Sequence, residues 1–257
     1  MSADTHRDPT RRFSDRVAHY VRYRPGYPPA LIDIFRRELG LEPSHTVADV
    51  GSGTGKLSEL LLRNGNPVFG IEPNRKMRAA AEAALRDFPG FHSIDGSAEA
   101  TGLAAGSVDH VVAAQAFHWF RADEARTEFV RIGKPGSWTA LVWNRRLESS
   151  PFLRAYESLL HRFSLDYAAV DHRKKSDPDT LRGFFGGGHR RATLPNAQSL
   201  DWTALQGRVL SSSYAPMPGQ PNHDAMFREL RGIFDAHQHD GGVTFEYETE
   251  IYWGRLA

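Results

Sequence analysis

The stretch T-V-A-D-V-G-S-G-T-G-K-L-S, residues Thr46–Ser58, decides how the whole chain is read. Val47, Ala48 and Val50 form a short apolar, β-prone run that suits the middle of a sheet. Gly51, Gly53 and Gly55 follow at alternate positions, and a leucine-bearing helical pattern begins at once. A strand that breaks into a glycine turn and opens a helix offers free backbone N–H groups and a positive dipole end to a ligand. A Cβ would restrict the backbone there and block close approach. The stretch predicts a nucleotide-like cofactor at the carboxyl end of a first strand.

Spacing narrows the cofactor. The dinucleotide pattern G-x-G-x-x-G, counted from Gly51, wants its third glycine at position 56, which is Lys56. The triphosphate-binding loop wants glycine at position 50 and a hydroxyl at 57, where the chain has Val50 and Leu57. What remains is Asp49, an acid two residues before the first glycine. A carboxylate at a strand end suits a ligand bearing an ammonium group and repels a pyrophosphate. That favours an amino-acid-bearing nucleoside over NAD.

Working outward, Phe13, Val17, Tyr20 and Val21 recur at helical spacing after a polar tail, residues 1–12. A second helix carries Leu31, Ile34, Phe35 and Leu39 and stops at Gly40. Short strands then alternate with helices: strands at Thr46–Val50, Pro67–Glu72, before Asp95, Val108–Gln115 and Trp138–Trp143, the last entered by a turn at Lys134-Pro135-Gly136. This rhythm predicts a parallel sheet covered on both faces. After Asn144 it changes. Helices are expected around Phe152–Phe163 and Phe227–Phe234, linkers at Asp171–Asp179 and Gly186–Gly188, and a sixth strand near Arg191–Leu200. Val243, Phe245, Tyr247, Thr249, Ile251 and Trp253 alternate with Glu246, Glu248 and Glu250, the pattern of a half-exposed antiparallel strand.

Composition sets the outer limits. At 257 residues the chain suits one large domain, and 32 basic against 31 acidic residues give no field favouring nucleic acid or a lipid surface. With no cysteine, disulfides, thiolate metal sites and cysteine nucleophiles are excluded. The polar start lacks the apolar core of a secretory signal, and no run is long enough to span a membrane. The expectation is a cytoplasmic protein, monomer or homodimer, without nucleic-acid or membrane partners. His237, His239 and Asp240 sit where a helix end favours histidine, so no metal site is assigned.

D-V-G-S-G-T-G with Glu72 in G-I-E-P-N resembles the first two motifs of the class I S-adenosylmethionine-dependent methyltransferases. The resemblance implies a Rossmann-like, doubly wound, seven-stranded α/β sheet whose antiparallel last strand lies beside the fifth. It implies S-adenosylmethionine as cofactor. Asp49, Gly51, Ser52, Gly53, Thr54 and Gly55 form the turn. Glu72, followed by Pro73 and Met77, serves the ribose, and Ser97, Ala98 and Glu99 neighbour the adenine. Q-A-F-H-W-F (Gln115, Ala116, Phe117, His118, Trp119, Phe120), with Tyr20, Tyr23, Arg24, Pro25, Tyr27 and Pro28 upstream, resembles the trans-aconitate methyltransferase-like, small-molecule branch. Tyr20, Tyr23, Phe117 and Trp119 are candidates for an aromatic wall against the cationic cofactor.

Within this reading, residues 13–257 form one domain: N-terminal lid helices (13–40), a cofactor core (41–145), a helical insert over the acceptor (146–240) and the final strand (241–257). The expected activity is methyl transfer to a small-molecule acceptor, an O-methylation of a carboxylic acid or hydroxyl. His118 would act as base for a hydroxyl or as an orienting donor. A carboxylate needs no base, but it needs a cation, and Arg24, Arg145 or Arg146 could supply the fork. C- or N-methylation of a lipid, quinone or other metabolite, an NAD-dependent oxidoreductase and a cofactor-binding module without turnover are the alternatives.

Overall fold

The apolar run at the start of the glycine stretch is buried along its whole length as β1 (Val47–Val50). In the computed structural model, which describes residues 16–164, 167 and 178–256, β1 pairs in parallel with β2 (Val68–Ile71) and β4 (Val108–Ala114). β2 carries β3 (Phe91–Ile94) on its far side, and β4 carries β5 (Gly133–Arg146), both in parallel. β7 (Gly242–Gly254) runs antiparallel between β5 and β6 (Arg190–Asp201). The order is β3-β2-β1-β4-β5-β7-β6, the Rossmann-like sheet expected, with the last strand beside the fifth.

Period-two alternation sends successive side chains to opposite faces, and each face finds its helices. Val47, Val68, Val112, Val142 and Ile251 pack against α2 (Ala30–Ile34), its π-helical extension Phe35–Leu39 and α3 (Lys56–Arg63). Ala48, Val50, Val111 and Leu141 pack on the other side with Phe129 of α5 (Ala122–Ile132). Between these helices in sequence, α4 (Arg75–Leu85) starts where Asn74 accepts the amides of Lys76 and Met77 at 3.0 and 3.2 Å. A third core gathers α6 (Pro151–Phe163), α8 (Trp202–Leu210) and α9 (His223–His237) around Phe245 and Tyr247 of β7.

Three expectations change. Lys134-Pro135-Gly136 lies inside β5 as a bulge, because proline offers no ladder donor and Gly136 sits at φ 81°. Asp179 belongs to a helix, α7 (Pro178–Phe185), whose Leu181, Phe184 and Phe185 are buried, while 171–177 lie outside the described residues. The glutamate face of β7 is covered by arginine: Arg145 bonds Glu248 at 2.6 Å and Glu250 at 3.1 Å, and Arg191 reaches Glu250 at 3.0 Å. The 1–12 tail and Phe13 lie outside the described residues.

The first described helix, α1 (Val17–Tyr23), is fastened by the residue that precedes it. Arg16 is 7% exposed and donates to the carbonyls of Leu210 at 3.0 Å and Ala215 at 2.7 Å, and also to that of Ser212. Charge-assisted bonds of this kind contribute about 1.5–3 kcal/mol. Arg16→Ala is expected to lower unfolding free energy by roughly 2 kcal/mol in a denaturant titration, with an unchanged slope.

Candidate active site

Gly51 turns the chain out of β1 at φ 71°, with its N–H still donating to Ile71 at 2.8 Å. A Cβ there would stand 2.5 Å from the Cβ of Ala116, so alanine is excluded by both angle and space. Ser52 N–H also donates to Ile71, at 3.1 Å, and Gly53 N–H then turns to Glu72 Oε2 at 3.0 Å. Gly55, at φ 81°, does a different job. Its missing Cβ leaves room for Leu85 of α4, so it packs helix to helix and does not line the cavity. Lys56 opens α3.

Above this turn lies a cavity of about 430 Å³, at the carboxyl ends of β1, β2 and β4. Asp49 lines it at 1% exposure. Its Oδ2 accepts from the Ser58 hydroxyl at 2.6 Å, whereas Oδ1 is buried with no partner. Burial raises its pKa to about 7, against the two bonds from Ser58 and with some help from Glu72. The Thr54 hydroxyl is likewise buried and unmatched. An orphaned carboxylate oxygen and an orphaned hydroxyl on one cavity wall suit a ligand with a cationic donor.

Glu72 accepts from Asn74 N–H at 2.8 Å as well as from Gly53, so each oxygen keeps one lone-pair site for a ligand hydroxyl. Burial raises its pKa, opposed by those backbone bonds. Arg78 holds the β2 end by donating to the Glu72 carbonyl at 2.7 Å and to Asp95 at 2.7 and 2.9 Å. Pro73 and Met77 line the cavity beside it, as do Ser97, Ala98 and Glu99. Glu99 also accepts the Arg121 amide at 2.8 Å, at the mouth of α5. Gln115, which ends β4 at φ 55° without being glycine, is tied by Nε2 to the Asn144 carbonyl at 3.2 Å.

The aromatic stretch divides. Ala116, His118, Trp119 and Phe120 line the cavity. Phe117 turns inward at 1% exposure, edge-to-face with Phe184 at 4.7 Å and with Trp143 at 6.1 Å. The N-terminal tyrosines divide too. Tyr20 lines the cavity, while Tyr23 packs its ring onto Gly207, where a Cβ would lie 2.0 Å from it. Tyr27, which sequence reasoning passed over as a site residue, replaces it. Burial first, then Tyr20 and Asp49, raise its pKa well above the usual phenol range.

The far end of the cavity is cationic. Arg24 donates to the Ser211 carbonyl at 3.1 Å and the Ser212 hydroxyl at 3.3 Å, stacks 5.1 Å from the Tyr20 ring, and keeps a buried Nε without a partner. Its pKa is lowered by burial and then by Arg208. Arg145 is spent on Glu248 and Glu250, and Arg146 on Glu157 and the Tyr167 hydroxyl. Arg208, Tyr214 and Tyr247 complete this wall. Their only signal in the sequence is the string G-R-V-L-S-S-S-Y-A-P, Gly207–Pro216, and for Tyr247 the alternation of β7 concealed it as a core position.

Comparison with known proteins agrees with this geometry. Residues 48–141 match the family model described as a methyltransferase domain. An uncharacterized methyltransferase of Mycobacterium tuberculosis is 36% identical over 266 residues, covering 98% of both chains. A solved type II methyltransferase candidate from Anaeromyxobacter dehalogenans shares the fold at 24% identity and TM-score 0.64, over 91% of this chain and 98% of that one. A Geobacter sulfurreducens S-adenosylmethionine-dependent methyltransferase, solved with S-adenosylhomocysteine, aligns at TM-score 0.52 and 16% identity, over 95% and 97%.

Asp49 makes a pH signature. The unfolded chain releases this proton near the ordinary value of 3.8, whereas the folded chain keeps it to about 7. The folded state then binds the extra proton, so the unliganded protein loses stability as pH rises between those values. Asp49→Asn is expected to exceed wild type by roughly 2–4 kcal/mol at pH 8 in denaturant titrations, the gap closing toward pH 4.

Proposed function

This chain belongs to the class I S-adenosylmethionine-dependent methyltransferases, and on that premise we propose that it methylates a small carboxylic acid on oxygen, with Arg24 orienting the acceptor. The observation that carries the acceptor class is Arg24 itself. It is a half-buried guanidinium in the cavity wall, its Nε fully buried, whose partners among the described residues are a carbonyl and a hydroxyl, with no carboxylate. A cation left so incompletely matched favours an anionic guest.

Within this proposal, Asp49 Oδ1 receives the cofactor's ammonium group, Glu72 its ribose hydroxyls, and the Ser97–Glu99 loop its adenine. The cofactor brings an electrophilic methyl group on a sulfonium. The residues' task is positioning: Arg24 aims a carboxylate oxygen, while Tyr20, Trp119 and Phe120 exclude water from the line of attack. A carboxylate held there would meet the sulfonium as an opposite charge, and methyl transfer between them would leave both neutral. No proton has to be removed from a carboxylate, so His118 serves as an orienting donor. A hydroxyl acceptor is the second reading, favoured by His118 lining the same cavity, where it would take the proton.

The test is a screen of small acids against their matched alcohols, amines and amides, scored by release of S-adenosylhomocysteine. Turnover of acids alone is expected; turnover of alcohols or amines with the acids inert overturns the carboxylate reading. Against the best acid, Arg24→Gln should lower kcat/KM by roughly 10²-fold, and His118→Ala should leave the shape of the pH profile of kcat unchanged. Titration calorimetry should give heat with S-adenosylhomocysteine and none with NADH, and Asp49→Ala should weaken the former by roughly tenfold or more.

A further inference from the structure

Resting on the reading of an acidic acceptor, we infer that Arg208 is a second guanidinium that contacts the acceptor's carboxylate and selects for it, with the Ser212 hydroxyl spacing it from Arg24. Of the three arginines Arg24, Arg146 and Arg208 that line the cavity here, one is already neutralised. Arg146 pairs with Glu157 and donates to the Tyr167 hydroxyl at 3.0 Å. Arg208 is 4% exposed, yet its side-chain bonds go to neutral hydroxyls, Tyr247 at 3.3 Å and Ser212 at 3.1 Å. Arg24 uses that same Ser212 oxygen at 3.3 Å. Among the described residues, no carboxylate lies within ion-pair distance of either guanidinium.

Two like charges sharing one hydroxyl repel each other, and each has left water for a poorly matched site. Folding tolerates such a pair at the wall of a cavity when an anion completes it. The position is also held rigidly. Arg208 follows Gly207, whose bare backbone admits the Tyr23 ring, so α8 is keyed against the helix that carries Tyr20 and leads into Arg24. Beneath it, the guanidinium lies 5.8 Å from the ring centroid of Phe245. Asp49 and Glu72 line the cavity at the ends of β1 and β2, with β4 and β5 between them and the β7 strand whose Tyr247 holds Arg208. The cavity is thus acidic at one end and doubly cationic at the other, which sorts a cationic cofactor head from an anionic acceptor and penalises a swapped arrangement.

Arg208→Gln and Arg208→Lys, loaded with S-adenosylhomocysteine, test this in calorimetric titrations with benzoate, acetate and succinate. Benzamide and succinamide serve as neutral controls, and inorganic phosphate as a control for charge alone. At least one carboxylate is expected to bind wild type in preference to its amide and to phosphate. Arg208→Gln should weaken that binding roughly tenfold or more, Arg208→Lys less, and both should keep the affinity for S-adenosylhomocysteine within about twofold. The unliganded Arg208→Gln chain should melt no lower than wild type, since it loses an unpaired buried charge. Equal carboxylate affinity in wild type and Arg208→Gln overturns the role of Arg208 and leaves the acidic acceptor standing. Amides that bind wild type as well as acids, preference for phosphate, or no binding of any carboxylate overturn both. Should Arg208→Gln fail to fold, Arg208→Lys with undiminished carboxylate binding is the outcome against the inference.

Discussion

A carboxylate buried at the end of a strand, with one oxygen matched and the other not, is the constraint on which the rest of the site depends. Asp49 is held by the Ser58 hydroxyl from the helix that the glycine turn opens. Its charge is penalised by burial until a cation arrives. The turn that follows must therefore leave the sheet at once, and Gly51 does so in a conformation closed to other residues. Everything on that wall then follows from the strand order. β2 brings Glu72 within reach of Gly53, and β4 brings Ala116 against Gly51.

The half of the cavity built by the glycine turn was legible because it is local. Glycine spacing, an acid at a strand end and alternating strands and helices are short-range signals, and the residues from Asp49 to Glu99 that carry them meet at one cavity. Gly55 is an exception, spent on packing against Leu85, and the two aromatic exceptions share another cause. Tyr23 and Phe117 have the right chemistry and the right neighbourhood, but the surface each ring packs on comes from elsewhere in the chain, and no spacing rule says which aromatic turns inward. Phe117 met Phe184, and Tyr23 met Gly207, both from segments far along the chain.

The arginine-bearing half of the cavity was hidden for the opposite reason. Arg24, Arg145 and Arg146 are equivalent in sequence, and only the location of their partners separates them. β7 supplies Glu248 and Glu250 to the second and α6 supplies Glu157 to the third. Arg208 and Tyr247 read as ordinary helix and strand positions until the third core brings them together. Charge in an interior is defined by what is absent around it, and absence has no sequence motif.

The loop that follows Tyr23 is laced to distant strands: Asn144 and Asn196 donate to the Gly26 carbonyl at 2.9 and 3.0 Å, and Gln198 donates to that of Tyr23 at 3.0 Å. Arg24 itself reaches Ser211 across 187 positions of sequence. Such closures are late events, because the entropy of a long loop must be spent before its contacts reward it. During synthesis the glycine turn and Glu72 can form from the first half of the chain, while the wall that carries Arg24 and Arg208 must wait for β6 and β7 to emerge. A nascent or truncated chain would then be a cofactor holder before it is a catalyst.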